Sequence, residues 1–149
     1  MQRHIGDQGV ALIRFFEGFQ PMVYCCPGGY QTIGYGHVLT AGEMYPSGVS
    51  LPEAERLLSE DLNRAAQVVD RLLPVVLAPG QFDALVSFTF NLGSGALQRS
   101  TLRQRVLRGE HEGASREFLR WIYAAGQPKR GLLRRRLAEA RLYETGVWA

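Results

Sequence analysis

Apolar positions recur at helical spacing over most of the chain, and the pattern changes to aromatic and β-branched residues only once, between Met22 and Leu39. From Gly6-Asp7, which can cap it, a first helix is predicted to run to about Phe16. Val10, Leu12 and Ile13 form its apolar face, and Gly18 and Pro21 end it. The Met22–Leu39 stretch turns about Pro27-Gly28-Gly29 and predicts a short hairpin, the one convincing β element in the sequence. Ser50-Leu51-Pro52-Glu53 is a capping box opening a long helix, along which Leu57, Leu58, Leu62, Ala65, Val69 and Leu72 keep helical spacing until Pro74. Pro79-Gly80 introduces QFDALVSFTFNLG, closed by Gly93, and Ser100 opens TLRQRVLRG, closed by Gly109. A further segment covers about 113–124, and LLRRRLAEARLYE follows the turn at 126–131.

There is no repeat, no low-complexity tract and no long linker, so residues 1–149 read as a single α+β domain, mainly helical. A hairpin lobe at about 18–49 is expected to join, through the helix at about 50–72, a helical lobe at about 73–149 that includes the first helix. Apolar residues make up 46% of the chain, enough for a real core. Seventeen Lys and Arg face fourteen Asp and Glu, with Lys129 the one lysine, and this net +3 suits an anionic polymer without pointing to nucleic acid. No apolar run approaches a membrane span of roughly 18 residues, and MQRHIGDQGVALIRFF lacks signal-peptide design, so a cytoplasmic location is expected. Cys25 and Cys26 are adjacent and read as free thiols, since a vicinal bridge is strained and closes almost no loop.

Candidate chemistry concentrates in FFEGFQPMVYCCPGGYQTIGYGH, Phe15 to His37. Glu17 falls at the negative end of a helix, flanked by Phe15, Phe16 and Phe19, where its charged form is disfavoured; such a group can keep a proton to donate near neutral pH. The same residue could instead end a helix and be solvated. Across the hairpin, a two-residue turn at Gly28-Gly29 would pair Cys25 with Thr32 and a three-residue turn would pair Cys26 with Thr32; propensity does not choose. Taken alone, the cysteines read as small half-buried hydrophobes and TIGYGH as a strand with close backbone approach.

The string EGFQPMVYCCPGGYQTIGYGHVLT resembles the active-site segment of the bacteriophage-type lysozymes, whose pattern is E, eight residues, D, five residues, T, then IGYGH. The likeness continues through DALVSFTFNLGSGAL, RSTLRQRV, EFLRW and GLLRRRLAEARLY. It implies a bilobed lysozyme-like fold with Glu17, Cys26 and Thr32 at the three catalytic positions, Cys26 departing from the commoner Asp. It further implies an endolysin that cuts the β-1,4 bond between N-acetylmuramic acid and N-acetylglucosamine of bacterial peptidoglycan. In that scheme Glu17 is the general acid, Cys26 and a half-exposed Thr32 position the attacking water, and no cofactor is needed. A thiol is mostly protonated at neutral pH, with an ordinary pKa near ~8.5, so holding water is favoured over acting as a base.

Gly36, His37, Phe90 and Asn91 are candidate substrate-binding residues by the same resemblance, although His37 could brace the hairpin and Phe90 could be core. Arg134, Arg135 and Arg136 could form a solvated basic face, or, as the resemblance implies, one of them could approach Glu17, without the sequence saying which. Trp121 and Trp148 read as packing residues, and the scattered histidines show no metal-ligand spacing. The expected protein is a monomer that waits in the host cytoplasm, needs a holin for membrane passage, and acts on the periplasmic wall. Competing readings are a lytic transglycosylase, which also needs a single Glu, a non-catalytic wall-binding phage protein, and membrane disruption by the C-terminal helix carrying Leu132, Leu133, Leu137 and Leu142.

Overall fold

The computed structural model describes residues 2–149. Helix α1 (Asp7–Glu17) leads into a three-stranded antiparallel sheet, β1 (Gln20–Cys25), β2 (Gln31–Gly34) and β3 (His37–Val38), in the order β1-β2-β3. A long helix α2 (Leu51–Leu72) is followed by α3 (Pro79–Leu92), α4 (Ser94–Arg99), α5 (Thr101–Leu107) and α6 (His111–Glu117), the last running on into a 3-10 turn, Phe118–Arg120. A two-residue hairpin, β4 (Tyr123–Ala124) and β5 (Gln127–Pro128), precedes α7 (Arg130–Thr145). The fold is thus mainly helical with a small antiparallel sheet. Strand β3, the β4–β5 hairpin and α4 are elements that periodicity did not announce, because segments of two to six residues carry too few positions to show a period.

Two apolar clusters share α2. Its N-terminal half gives Ala54 and Leu57 to a small cluster with Ile33 and Val49, and the rest gives Leu58, Leu62, Ala65, Ala66, Val69 and Leu72 to the large one. At about 1.5–3 kcal/mol for each fully buried Leu or Val, this one helix contributes strongly to both. Its start is fixed as the capping box requires: Glu53 N–H donates to Ser50 Oγ at 3.3 Å, and Ser50 N–H donates to Glu53 Oε1 at 3.2 Å.

Helix α3 is buried on every side from Phe82 to Thr89, and α1, α2 and α7 pack around it. That burial explains Asp83. Gly6 has no side chain with which to cap α1, and Asp83 does so from α3, accepting from Gly6 N–H at 3.0 Å and Gly9 N–H at 3.1 Å. The expected Gly6-Asp7 cap is therefore supplied from a distant part of the chain. Burial pushes the Asp83 carboxyl up, and those two backbone donors oppose the effect.

In α7 the buried face is Arg135, Arg136, Glu139, Leu142 and Tyr143, while Leu133 and Leu137 are exposed. The helix has no single apolar stripe to lay on a membrane. Among the described residues no helix is long and apolar enough to cross one. Trp121 stands edge-on to Phe88 with centroids 5.4 Å apart, and Trp148 tilts over Phe15 at 5.3 Å.

Candidate active site

Glu17 is the last residue of α1, and Gly18, with φ 68°, ends the helix there. Arg135 reaches it from α7: Nη1 donates to Glu17 Oε2 at 2.5 Å, with 5% of the arginine side chain and 17% of the carboxylate side chain exposed. This settles which of the three consecutive arginines faces Glu17, since Arg134 is exposed and Arg136 points elsewhere in the same buried layer. Gly36 lies against the other oxygen so closely that a Cβ built there would overlap Glu17 Oε1, and its φ of 73° also requires glycine.

The hairpin closes one residue earlier than either expected register. Cys26 N–H donates to Tyr30 O at 2.9 Å and Gly29 N–H to Cys26 O at 2.9 Å, so the three-residue turn is Pro27-Gly28-Gly29. Proline suits the second position of such a turn, and Gly29 supplies the positive φ of 87° at its end. Thr32 consequently pairs with Tyr24, and Cys25 with Gln31, so neither cysteine is directly opposite Thr32. Strand alternation nevertheless keeps Tyr24, Cys26 and Thr32 on one face and turns Cys25 away; Cys25 is exposed and Cys26 is half-buried. The Tyr30 backbone N–H, followed by the Thr32 hydroxyl, favours the thiolate of Cys26 and lowers its pKa below the ordinary thiol value.

Thr32 is not half-exposed as expected. It is buried, and its hydroxyl, 3.0 Å from Tyr30 O, has that carbonyl and the Cys26 sulfur as alternative acceptors for its single proton. Tyr24, overlooked in the sequence, feels both Glu17 and Cys26: burial first, then those two negative charges, raise its phenol. Period-two spacing from Cys26 was the available signal for it.

His37 is buried, and both ring nitrogens are engaged, Nδ1 with Asp61 Oδ2 at 2.8 Å and Nε2 with both Glu43 oxygens at 3.1 Å. The bond to Asp61 is the main cause of its raised pKa. Glu43 also accepts from Thr40 N–H and Thr40 Oγ1, each at 2.7 Å, and from Tyr45 OH at 2.9 Å; led by the Thr40 N–H, these donors hold its carboxyl down to about 2. His37 thereby ties the sheet to α2 and has no free ring nitrogen to offer a ligand. Phe90 lies with Gly36, His37, Asp61 and Ser94 along a cleft of about 630 Å³ between the sheet, α2 and the end of α3. Glu17 adjoins this cleft through Gly36 rather than lining it, and Cys26 and Thr32 are not among its lining residues. Asn91 does not line it, and its Oδ1 accepts from Arg136 Nη2 at 2.6 Å. Among the described residues no cluster of three His, Cys, Asp or Glu side chains could hold a metal ion.

The phage lysozyme family matches residues 14–139, which includes every one of these groups. The chain belongs to the phage lysozyme family. It is 41% identical to the endolysin of Bacillus phage B103 over 96% of its own length, and spans 55% of the length of that relative. Among solved structures, this phage lysozyme resembles the endolysin from Escherichia coli O157:H7 phage FAHEc1, with a TM-score of 0.89, 30% identity and coverage of 100% of this chain and 99% of that one. It also resembles the muramidase domain of SpmX from Asticaccaulis excentricus, with a TM-score of 0.86, 36% identity and coverage of 96% and 99% respectively.

Proposed function

We propose that this phage lysozyme is an endolysin that hydrolyses the β-1,4 bond between N-acetylmuramic acid and N-acetylglucosamine of bacterial peptidoglycan. Glu17 protonates the leaving oxygen as general acid, and Cys26 with Thr32 positions the attacking water on the opposite face of the sugar. The observation that carries the reading is the placement of Glu17, held by Arg135, beside a hairpin face that presents Tyr24, Cys26 and Thr32. The names of the similar proteins, an endolysin and a muramidase domain, agree with it. Thr32, being buried, acts mainly through Cys26, whose side chain its hydroxyl orients. Phe90, and Gly36 with it, form wall for the sugar chain, while Asn91, off the cleft wall, holds Arg136 behind it. No cofactor enters the scheme. Access from the cytoplasm to the wall, by a holin, belongs to the same proposal, as does action as a monomer.

The test is digestion of purified peptidoglycan by the wild type and by Glu17→Gln, with mass analysis of the product ends and the anomer read by NMR before mutarotation. Reducing ends of inverted configuration are expected from the wild type, and Glu17→Gln should lose about 10²- to 10⁴-fold in turnover while remaining folded. Folded Glu17→Gln with near wild-type turnover refutes the assignment. Ends of 1,6-anhydro type would make the protein a transglycosylase instead, and a retained anomer would make Cys26 a nucleophile.

A further inference from the structure

Glu139 is fully buried on α7, and the proposed reaction does not use it. Every side-chain contact it makes is with a donor. Ser87 Oγ donates to Oε2 at 2.6 Å, Arg136 Nε lies 2.8 Å from Oε1 and Arg136 Nη2 3.3 Å from Oε2, and Arg135 Nε lies 3.5 Å from Oε2. A protonated Glu139 would find one acceptor, the Ser87 hydroxyl oxygen, while the two guanidiniums beside it can only donate; the ionised form is the one that satisfies them. Burial pushes the carboxyl up, and the two guanidiniums with the Ser87 hydroxyl pull it back. The same burial, ahead of the neighbouring charges, lowers Arg136.

The charges facing this cluster are Arg135 and Arg136 on α7 and Glu17 on α1, with neutral Ser87 and Asn91 from α3. When Glu17 is ionised, two carboxylates balance two guanidiniums. When Glu17 carries its proton, as a general acid must before transfer, Arg135 still has Glu139 beside it. We propose that Glu139 is a positioning residue: it is the standing counterion of Arg135, which frees Glu17 to carry the proton destined for the leaving oxygen, and it holds Arg136 on Asn91. The proton passes from the Glu17 carboxyl to the glycosidic oxygen as the bond from that oxygen to the anomeric carbon breaks. The carboxylate left behind then completes its pairing with Arg135.

The inference rests on the general-acid role of Glu17 and is tested separately from it, in the free enzyme. The Glu17 carboxyl carbon is followed by ¹³C NMR titration in the wild type and Glu139→Gln, and in Arg136→Met and Glu139→Gln/Arg136→Met as a second pair that differs at Glu139 alone. The double variant removes one charge of each sign from the interior and so remains testable if Glu139→Gln alone does not fold. Without Glu139, Arg135 has Glu17 as its one anion. The Glu17 midpoint should then fall by about one pH unit, because a like charge sharing the same guanidinium is gone, and the upper limb of kcat/KM should move down with it. A merely structural role for Glu139 would lower stability and leave the Glu17 titration in place. A Glu17 midpoint in the folded double variant equal to that in Arg136→Met, which shares the loss of the Arg136 charge, overturns the counterion role with the proposed function intact, whereas an active Glu17→Gln overturns the reading beneath it.

Discussion

Replacing His37 with Gln tests whether the sheet is held to α2 by charge or by shape. His37 is 5% exposed and sits between Asp61 and Glu43, at 2.8 and 3.1 Å. Breaking a buried ion pair typically costs about 3–5 kcal/mol, largely because a charge is left uncompensated. Here neither carboxylate is abandoned, since Asp61 keeps Arg64 and Glu43 keeps Thr40 and Tyr45. The expected loss is therefore smaller, about 2–3 kcal/mol, or roughly 4–12 °C in Tm for a chain of this size.

The pH dependence identifies the cause. The folded pKa of His37 is raised above its unfolded value, so its contribution is complete below the ordinary histidine range of about 6.5 and disappears as pH rises through the folded value. Glu43 is depressed to about 2, so its contribution is present above its ordinary range and fades as pH falls toward that value. Urea unfolding of wild type and His37→Gln should thus differ most at about pH 5.5 and converge in alkaline solution. An equal difference at both ends of the range would refute the electrostatic argument and leave only packing.

Gly36→Ala should lose most activity, because its Cβ overlaps the Glu17 carboxylate, and should lose about 1–2 kcal/mol of stability for the left-handed backbone; turnover and urea curves measure the two effects separately. Asp83→Ala leaves the Gly6 and Gly9 N–H groups without their acceptor and should cost about 2–4 kcal/mol in urea unfolding, with fraying of α1 seen by hydrogen exchange. In a Cys25→Ser background, iodoacetamide should alkylate Cys26 with a pH midpoint below that of a free thiol, and Thr32→Ala should move that midpoint up; coincidence of both midpoints with that of free cysteine would remove the thiolate-stabilising role of the hairpin.

Much of the helical framework was legible because helix signals are local. The Ser50–Glu53 box, the spacing from Leu57 to Leu72 and the glycine stops are complete within a few residues of one another, and the structure places α2 at Leu51–Leu72. The family was legible in the same way, since Glu17, Cys26 and Thr32, part of the segment that carries the likeness, lie within sixteen positions of sequence.

What required tertiary structure was every choice among equivalent local options. The hairpin register depended on whether the turn began at Pro27 or Gly28, a single residue that decides which side chain faces Thr32. Arg134, Arg135 and Arg136 are chemically alike, and only the packing of α7 on α3 and α1 sends one outward, one to Glu17 and one to Asn91. Asp83 caps a helix 74 residues before its own position, and Glu139 becomes a buried counterion only when two guanidiniums close around it. Charge and hydrogen-bond energies fall steeply with distance in space and are indifferent to separation along the chain, so these assignments came into existence only when the helices packed.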